Sequence, residues 1–336
     1  MENAGPNRVH LSADEAQQLA EQALQKIGYD AEEARIIADH VMDAALCGYE
    51  YSGLPKILNV AEHRQLQLPR QRIRALRETT VSALLDGGNN NGMVAMYRAT
   101  QSAITKAREH GMAAVGVNNS WVSGRSAYYV EMVARAGMVG MHSVSSRIHV
   151  AAPGSKDAAT GTNPIAFGFP TQDEPFVVDL GTSAFMGTDL IFQERRTAVL
   201  PEGVAIDAQG QLTRDPLKVH AILPWGGYKG FALALAMQSL GVLAGSGLSY
   251  DHTYGYFIIA IKPDLFLPPE DFRRDMSAML ARVKATPRQP GVDEIRLPSQ
   301  RAFRERARLR RDGIVIDRKI YDALLALPKG RLPDYV

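Results

Sequence analysis

GTNPIAFGFPTQDEPFVVDLGTS, residues 161–183, decides the fold class. Two β-like stretches, Ile165–Phe169 and Phe176–Leu180, follow one another across a turn rich in Pro, Thr and Asp, with no helical stretch between them. Working outward, Ala113–Val117 and Met138–Val144 read as strands upstream, and the aromatic, β-branched run Tyr254–Ile261 reads as one downstream. Strands that come in runs, without strict alternation with helices, favour α+β over a doubly wound sheet.

Helical patterns lie at both ends. Ser12 followed by Glu15 has the spacing of a capping box, and Leu19, Ala20, Ala23, Leu24 and Ile27 repeat at helical spacing until Gly28. Asp30 can cap a second helix with Ala34, Ile37, Val41 and Ala44 on its inner stripe and Gly48 as its stop. A third helical segment runs over 54–64, before an Arg-rich connector containing Pro69. Asp86-Gly87-Gly88 with Asn89–Asn91 reads as a turn, ahead of a helix over 94–109 ended by Gly111. Helical patterns return at 272–283, 299–311 and 318–327. The expected organisation is a discontinuous helical domain, 1–75 plus 295–336, around an α/β domain at 76–294.

Composition narrows the function classes. With 46% hydrophobic and 22% charged residues over 336 positions, the chain is expected to be globular, not disordered. Thirty-eight basic against 36 acidic residues argue against a nucleic-acid binder. The longest apolar stretch, 231–244, is too short and too interrupted by Gln238, Ser239 and Gly241 for a membrane span, and reads as a buried helix. A lone Cys47, placed late in the second helix and read as buried, excludes an internal disulfide and any multi-Cys zinc site. No apolar segment marks export, so a cytoplasmic protein with no membrane or nucleic-acid partner and no metal is expected.

Neither G-x-G-x-x-G after a strand nor a P-loop occurs. Pro224-Trp225-Gly226-Gly227-Tyr228-Lys229-Gly230 opens a helix, and bare N–H groups there beside Lys229 suit an anion, although a tight turn has the same sequence requirement. Taken with DGG at 86–88, GTNPIAFGFP at 161–170, VVDLGTS at 177–183, LPEGVAIDAQGQLTRDP at 200–216, LPWGGYKGFALAL at 223–235 and PGVDE at 290–294, the chain resembles the malate/L-lactate dehydrogenase type 2 family. That family includes ureidoglycolate, sulfolactate and diketogulonate oxidoreductases and Δ1-piperideine-2-carboxylate reductases. The resemblance implies a non-Rossmann, mostly antiparallel cofactor domain, a helical domain built from both termini, NADPH or NADH as cofactor, and a homodimer with its site near the subunit interface. By the same likeness the cofactor lies along Ser145, Ser146, Asp179, Leu180, Gly181, Thr182, Lys229, Gly230 and Gly291, and the substrate touches Lys56, Ser120 and Thr162.

Two departures define the chemical problem. Where the family has Ser-His-Gly and an arginine three residues on, this chain has Tyr51-Ser52-Gly53 and Lys56. Where the family's proton-exchanging histidine follows Asn-Ser-x, Asn119-Ser120-Trp121 is followed by Val122, and Thr188 stands where a lysine is frequent. The catalytic candidates are then Tyr51, Ser52, Lys56 and His142. Lys56 would hold a carboxylate as a point charge, or be an ordinary surface lysine. Tyr51 is a candidate acid or a packing residue. His142 in a strand, or His149 in the loop after it, is a candidate imidazole or a satisfied structural histidine. Asp179 could orient the nicotinamide ribose or cap its turn through Ser183. The leading function is NAD(P)H-dependent reduction of a small 2-imino (cyclic ketimine) or 2-oxo carboxylate, with the imine preferred because an iminium needs no acid at the hydride step. The alternative is a catalytically divergent or inactive nucleotide-binding homologue with a structural or regulatory role.

Overall fold

Ser12 and Glu15 cap one another as their spacing predicts: the serine oxygen accepts the Glu15 N–H and the Glu15 carboxylate accepts the Ser12 N–H. This starts α1 (Ala13–Lys26), and Asp30 accepts the Glu33 N–H to start α2 (Ala31–Leu46), which Gly48 leaves at φ +77°. The computed structural model describes residues 7–196, 198–247, 254–330 and 332. The outermost parts of the expected terminal unit, 1–6 and 333–336, lie outside the described residues.

The first described element is a strand and not a helix. Strand β1 (Arg8–Leu11) precedes α1 and pairs antiparallel with β13 (Ile314–Asp317), near the other end. Between them lie α3 (Pro55–Ala61), β2 (Arg74–Glu78), β3 (Ser82–Asn91), α4 (Gly92–His110), β4 (Met112–Trp121), α5 (Ser126–Arg135) and β5 (Val139–Ser145). Short strands β6 (Val150–Ala151) and β7 (Ala158–Thr160) lead to β8 (Ile165–Phe169), β9 (Phe176–Leu180) and α6 (Gly187–Arg196). Then come β10 (Ala205–Ile206), β11 (Ala221–Ile222), α7 (Tyr228–Leu243), β12 (Gly255–Ile261), α8 (Pro269–Lys284) and α9 (Gln300–Asp312), with α10 (Arg318–Ala326) after β13.

The main sheet has seven strands in the order β2-β3-β4-β12-β5-β8-β9, and β3–β4 is its one parallel pair among the described residues. A four-stranded sheet, β10-β11-β6-β7, lies beside it. The architecture is mixed α+β. Asp86–Asn91 is not a turn: it continues β3, with a register shift that Gly88 at φ +60° and Asn89 at φ +58° allow. Gly87 cannot carry a Cβ there, because it would sit 2.7 Å from the Asn118 carbonyl of the neighbouring strand.

Two apolar clusters carry the packing. One joins α1, α2, α3 and α10 with Ile314, Ile316, Met93, Val94 and Trp121; the other packs α4 and α5 on β4, β5 and β12. Helix α7 crosses β5 and β12, where Gly241 comes so close to Ser145 that a Cβ would collide with the hydroxyl. The expectation of a buried helix is corrected here. Only Gly230, Ala234, Met237 and Gly241 are buried, while Leu235, Val242 and Leu243 are 46%, 47% and 68% exposed.

Arg306 of α9 ties these layers together. Its guanidinium donates to both Glu131 oxygens of α5, at 2.6 and 2.7 Å, and lies 2.7 Å from Asp43 of α2. Arg125 takes the other Asp43 oxygen. Removing one member of a buried pair leaves a carboxylate uncompensated, a cost of about 3–5 kcal/mol. Urea denaturation of Arg306→Ala should show a loss on that scale; a loss under about 1 kcal/mol, the worth of a surface pair, would show that the cluster holds nothing.

Candidate active site

Lys56 is placed by a close approach. Gly53 lies against α2 where a Cβ would stand 2.8 Å from the Ala45 methyl, and Pro55 starts α3 immediately afterwards. The lysine is thereby drawn inward. It is 7% exposed, and its Nζ donates to Thr188 Oγ1 at 2.9 Å. Burial pulls its pKa down to about 8. Its ammonium lines a cleft of about 390 Å³ whose other walls include His63, Val122, Ser146, Arg147, His149 and Thr162.

The wall formed by 122–125 is held from beneath. Val122 has φ +54°, an unusual conformation for a β-branched residue, and Gly124 at φ +76° has no room for a Cβ above the His40 ring. His40 Nε2 accepts the Arg125 N–H at 2.7 Å. Burial, then Arg125 and Lys56, push the His40 pKa down to about 3, so the ring stays a neutral acceptor. Histidine 40 is therefore a support of the site that no sequence motif announced.

The three segments 161–164, 179–183 and 224–230 are woven together. Thr182 donates its N–H and its hydroxyl to the Thr162 carbonyl, at 3.0 and 2.9 Å, and its own carbonyl accepts the Trp225 N–H. Gly230 leaves no space for a side chain against the Trp225 and Thr182 carbonyls. Asn163, fully buried, donates to Ala234 O and Gln238 Oε1 of α7 while its oxygen accepts the Ser146 N–H. Ser146 and Thr162 thus reach the cleft with Lys56.

The other nominated residues are placed elsewhere. Ser145 is buried and accepts the Gly255 N–H, a job within the sheet. Asp179 caps α5 by accepting the Ala127 N–H at 2.8 Å, not its own turn through Ser183; burial raises its pKa, opposed by Arg125 and that N–H. Leu180 is 44% exposed and Gly181 lies against Met186. Lys229 is exposed at the start of α7, whose N-cap Gly227 supplies no side chain, and Gly226 and Gly227 face open space. The expected bare N–H groups are not found, because those of Gly227, Lys229 and Gly230 donate to the carbonyls of Pro224, Gly226 and Trp225, and the exposed Lys229 ammonium is what this turn offers an anionic diphosphate. Gly291 lies in an exposed stretch between α8 and α9. Ser120 lines a larger adjoining cleft of about 840 Å³, its hydroxyl donating to Asn90 O.

Tyr51 and Ser52 occupy a short 3-10 turn and do not line the cleft with Lys56. Burial, then Asp189 and Tyr49, push the Tyr51 phenol up to about 12, which makes it a poor acid. His142 is fully buried, its Nδ1 against Phe257 O at 3.1 Å and its ring edge-on to Tyr129, and the structure does not bring it to the cleft. Among the described residues, two imidazoles do reach it: His149, which the sequence offered as an option, and His63, which it did not. Lys56 and Asn59 share a face of α3, and His63 follows two residues past its end in extended backbone, so helical periodicity alone does not announce it.

A profile of the family described as Malate/L-lactate dehydrogenase matches residues 11–325. The chain is 32% identical to the malate dehydrogenase of Pyrococcus abyssi, over 95% of this chain and 94% of that protein. It is 30% identical to the Delta(1)-pyrroline-2-carboxylate reductase 1 of Burkholderia ambifaria, over 95% and 97%. Among solved structures, the malate dehydrogenase of Pyrococcus horikoshii superimposes with a TM-score of 0.87 at 28% identity, covering 97% of each chain.

Lys56 sets a pH dependence for any carboxylate in this cleft. Its ammonium is charged below about pH 8 and neutral above, so affinity is full on the acid side and falls as pH rises. Calorimetric titration with oxamate should show the dissociation constant climbing about tenfold per pH unit above that point, the limit for one required proton. Lys56→Met should bind weakly at every pH, with no such slope.

Proposed function

The chain belongs to the malate/L-lactate dehydrogenase family, and on that premise we propose that it reduces a small 2-oxo or cyclic 2-imino carboxylate with NADPH or NADH. The observation that carries this reading is a buried ammonium, Lys56, in one cleft with two imidazoles and with Thr162 of the woven 161–164 turn. A scaffold that only bound nucleotide would gain nothing from burying Lys56 there, since burial disfavours its charge. That weighs against an inactive homologue. The case for an imine substrate rested on a site without an imidazole, and the cleft holds His63 and His149.

In this reading 1–75 with 295–336 form a helical unit and 76–294 the cofactor-binding one. Lys229 and Ser146 hold the dinucleotide, which supplies a hydride when bound, and Thr182 braces the turn between them. Lys56 anchors the substrate carboxylate as a point charge. Thr188 fixes the direction of one of its three N–H donors, leaving the others for the ligand. Val122 and Tyr254 narrow the cleft and limit water around the reacting carbon. A second copy of the chain is the proposed cover for the apolar outer face of α7 and for α8, which buries no residue in the single chain.

Loss of reduced-nicotinamide absorbance should be seen with at least one 2-oxo or cyclic imino acid. Lys229→Ala should weaken nucleotide binding about tenfold, the scale of a charge-assisted hydrogen bond. Absence of binding of either nucleotide to the wild type would remove the reading. Sedimentation should give a dimer at micromolar concentration, and Leu243→Glu should shift it toward monomer; a wild-type monomer would contradict the proposed cover.

A further inference from the structure

His63 stands where the cleft of Lys56 meets the larger one, and it lines both. Its ring lies flat on Trp121, with centroids 4.5 Å apart and planes 7° from parallel. The platform is itself fixed, because Trp121 is 3% exposed and its indole N–H donates to Asn89 O at 3.1 Å. On the other edge of the imidazole, Nδ1 accepts the Gln65 backbone N–H at 3.3 Å. With that lone pair engaged, the neutral ring carries its proton on Nε2.

The groups facing the ring are Lys56 from α3, Glu62 and Arg64 beside it, and Arg147 and His149 from the opposite wall. Burial, then Arg64, Arg147 and Lys56, pull the His63 pKa down to about 4, so the neutral form with its Nε2 proton prevails near neutral pH.

We propose that His63 donates this Nε2 proton as a hydrogen bond to the carbonyl oxygen of the substrate, and that the site therefore takes 2-oxo carboxylates in preference to 2-imino ones. The inference rests on the reading of this cleft as the active site. A carbonyl oxygen accepts a hydrogen bond. A protonated cyclic imine presents an N–H of its own, so two donors would face each other. In the reduction, C2 of the substrate gains a hydride with its electron pair and the C=O π pair passes to oxygen. The oxygen, held by Nε2–H as its charge develops, would take a proton from water, the hydroxide left being neutralised by solvent, while the hydride itself would be supplied by a bound reduced nicotinamide. A neutral imidazole is a known electrophile for a carbonyl, and one such donor typically contributes about 10²–10³ in rate.

His63→Phe keeps a planar ring over Trp121 and removes the donor, whereas His63→Gln restores an N–H. For a 2-oxo acid, kcat/KM should fall about 10²–10³-fold in the phenylalanine variant and partly recover in the glutamine variant. Cyclic imino acid turnover, lower in the wild type, should not fall. No loss with the oxo acid, an equal loss with both classes, or a wild type that prefers imines would overturn the proposal. A second measurement needs no turnover. In protein labelled with ¹⁵N-histidine, the His63 signal should be that of the Nε2–H tautomer. It should move when oxamate, whose amide carbonyl and carboxylate copy a 2-oxo acid, is added to the wild type, and stay still in Lys56→Met. An Nδ1–H tautomer, or oxamate binding that leaves the signal unmoved, would also overturn it. If the wild type turns over neither class, the enzyme reading falls while the oxamate titration still decides the role of His63.

Discussion

Arg306 is the contact on which the site's geometry depends. It reaches from α9 between Asp43 of α2 and Glu131 of α5, and Arg125 completes the cluster on Asp43. Arg125 also carries the backbone N–H that His40 accepts, so the same residue that closes the ionic cluster fixes the loop bearing Val122. Asp179 then caps α5 from the end of β9. A buried ion cluster of this kind adds little net stability over a well-packed apolar one, because desolvation offsets most of the attraction. Its value here is orientation: it sets three elements at fixed distances, and the loop beside Lys56 inherits that register.

The elements legible in the sequence are those whose signal is local. Ser12–Glu15, Asp30 and Gly111 mark helix ends by their own hydrogen bonds or backbone conformation, and the structure has them in those roles. Strands β8, β9 and β12 show as β-branched or aromatic runs. What stayed hidden is set by partners far away in the chain. Strands β1 and β13 are four residues each and exist because they pair with one another. Residues 86–91 look like a turn and form a strand, because a bulge accommodates them beside β4. Helix α7 looks buried because its apolar residues lie all round it, a pattern that does not say whether the chain itself or another surface covers them.

The same division runs through the site. Thr162 and Lys56 were found because each belongs to a linear motif, and Ser146 through the family likeness, and the three meet in one cleft. Tyr51 and His142 were named for their side-chain chemistry, but burial decides what they can do: one is held as a weak acid and the other is enclosed by the sheet. His63 and His40 belong to no motif. The electrostatics of the cleft also emerge only in three dimensions. Burial, then Arg64, Arg147 and Lys56, depress the proton affinity of the His63 ring, so it stays neutral although it stands beside a charged lysine.

The pairing of β1 with β13 bears on how the chain is made. Register places Arg8 opposite Asp317 and Leu11 opposite Ile314, so β1 waits through the synthesis of all the intervening elements before it has a neighbour. Ile314, Ile316 and Ile320 belong to the same apolar cluster as Leu19, Leu24 and Ile37. During synthesis, α1 and α2 are therefore present with part of their cover still missing, and contacts of such long sequence separation form slowly. The central sheet, whose strands are all complete by residue 261, can assemble first. Lys56, carried by the helices that must wait, reaches its buried position beside Thr188 only when those helices settle, so the cleft is among the last features of the molecule to mature.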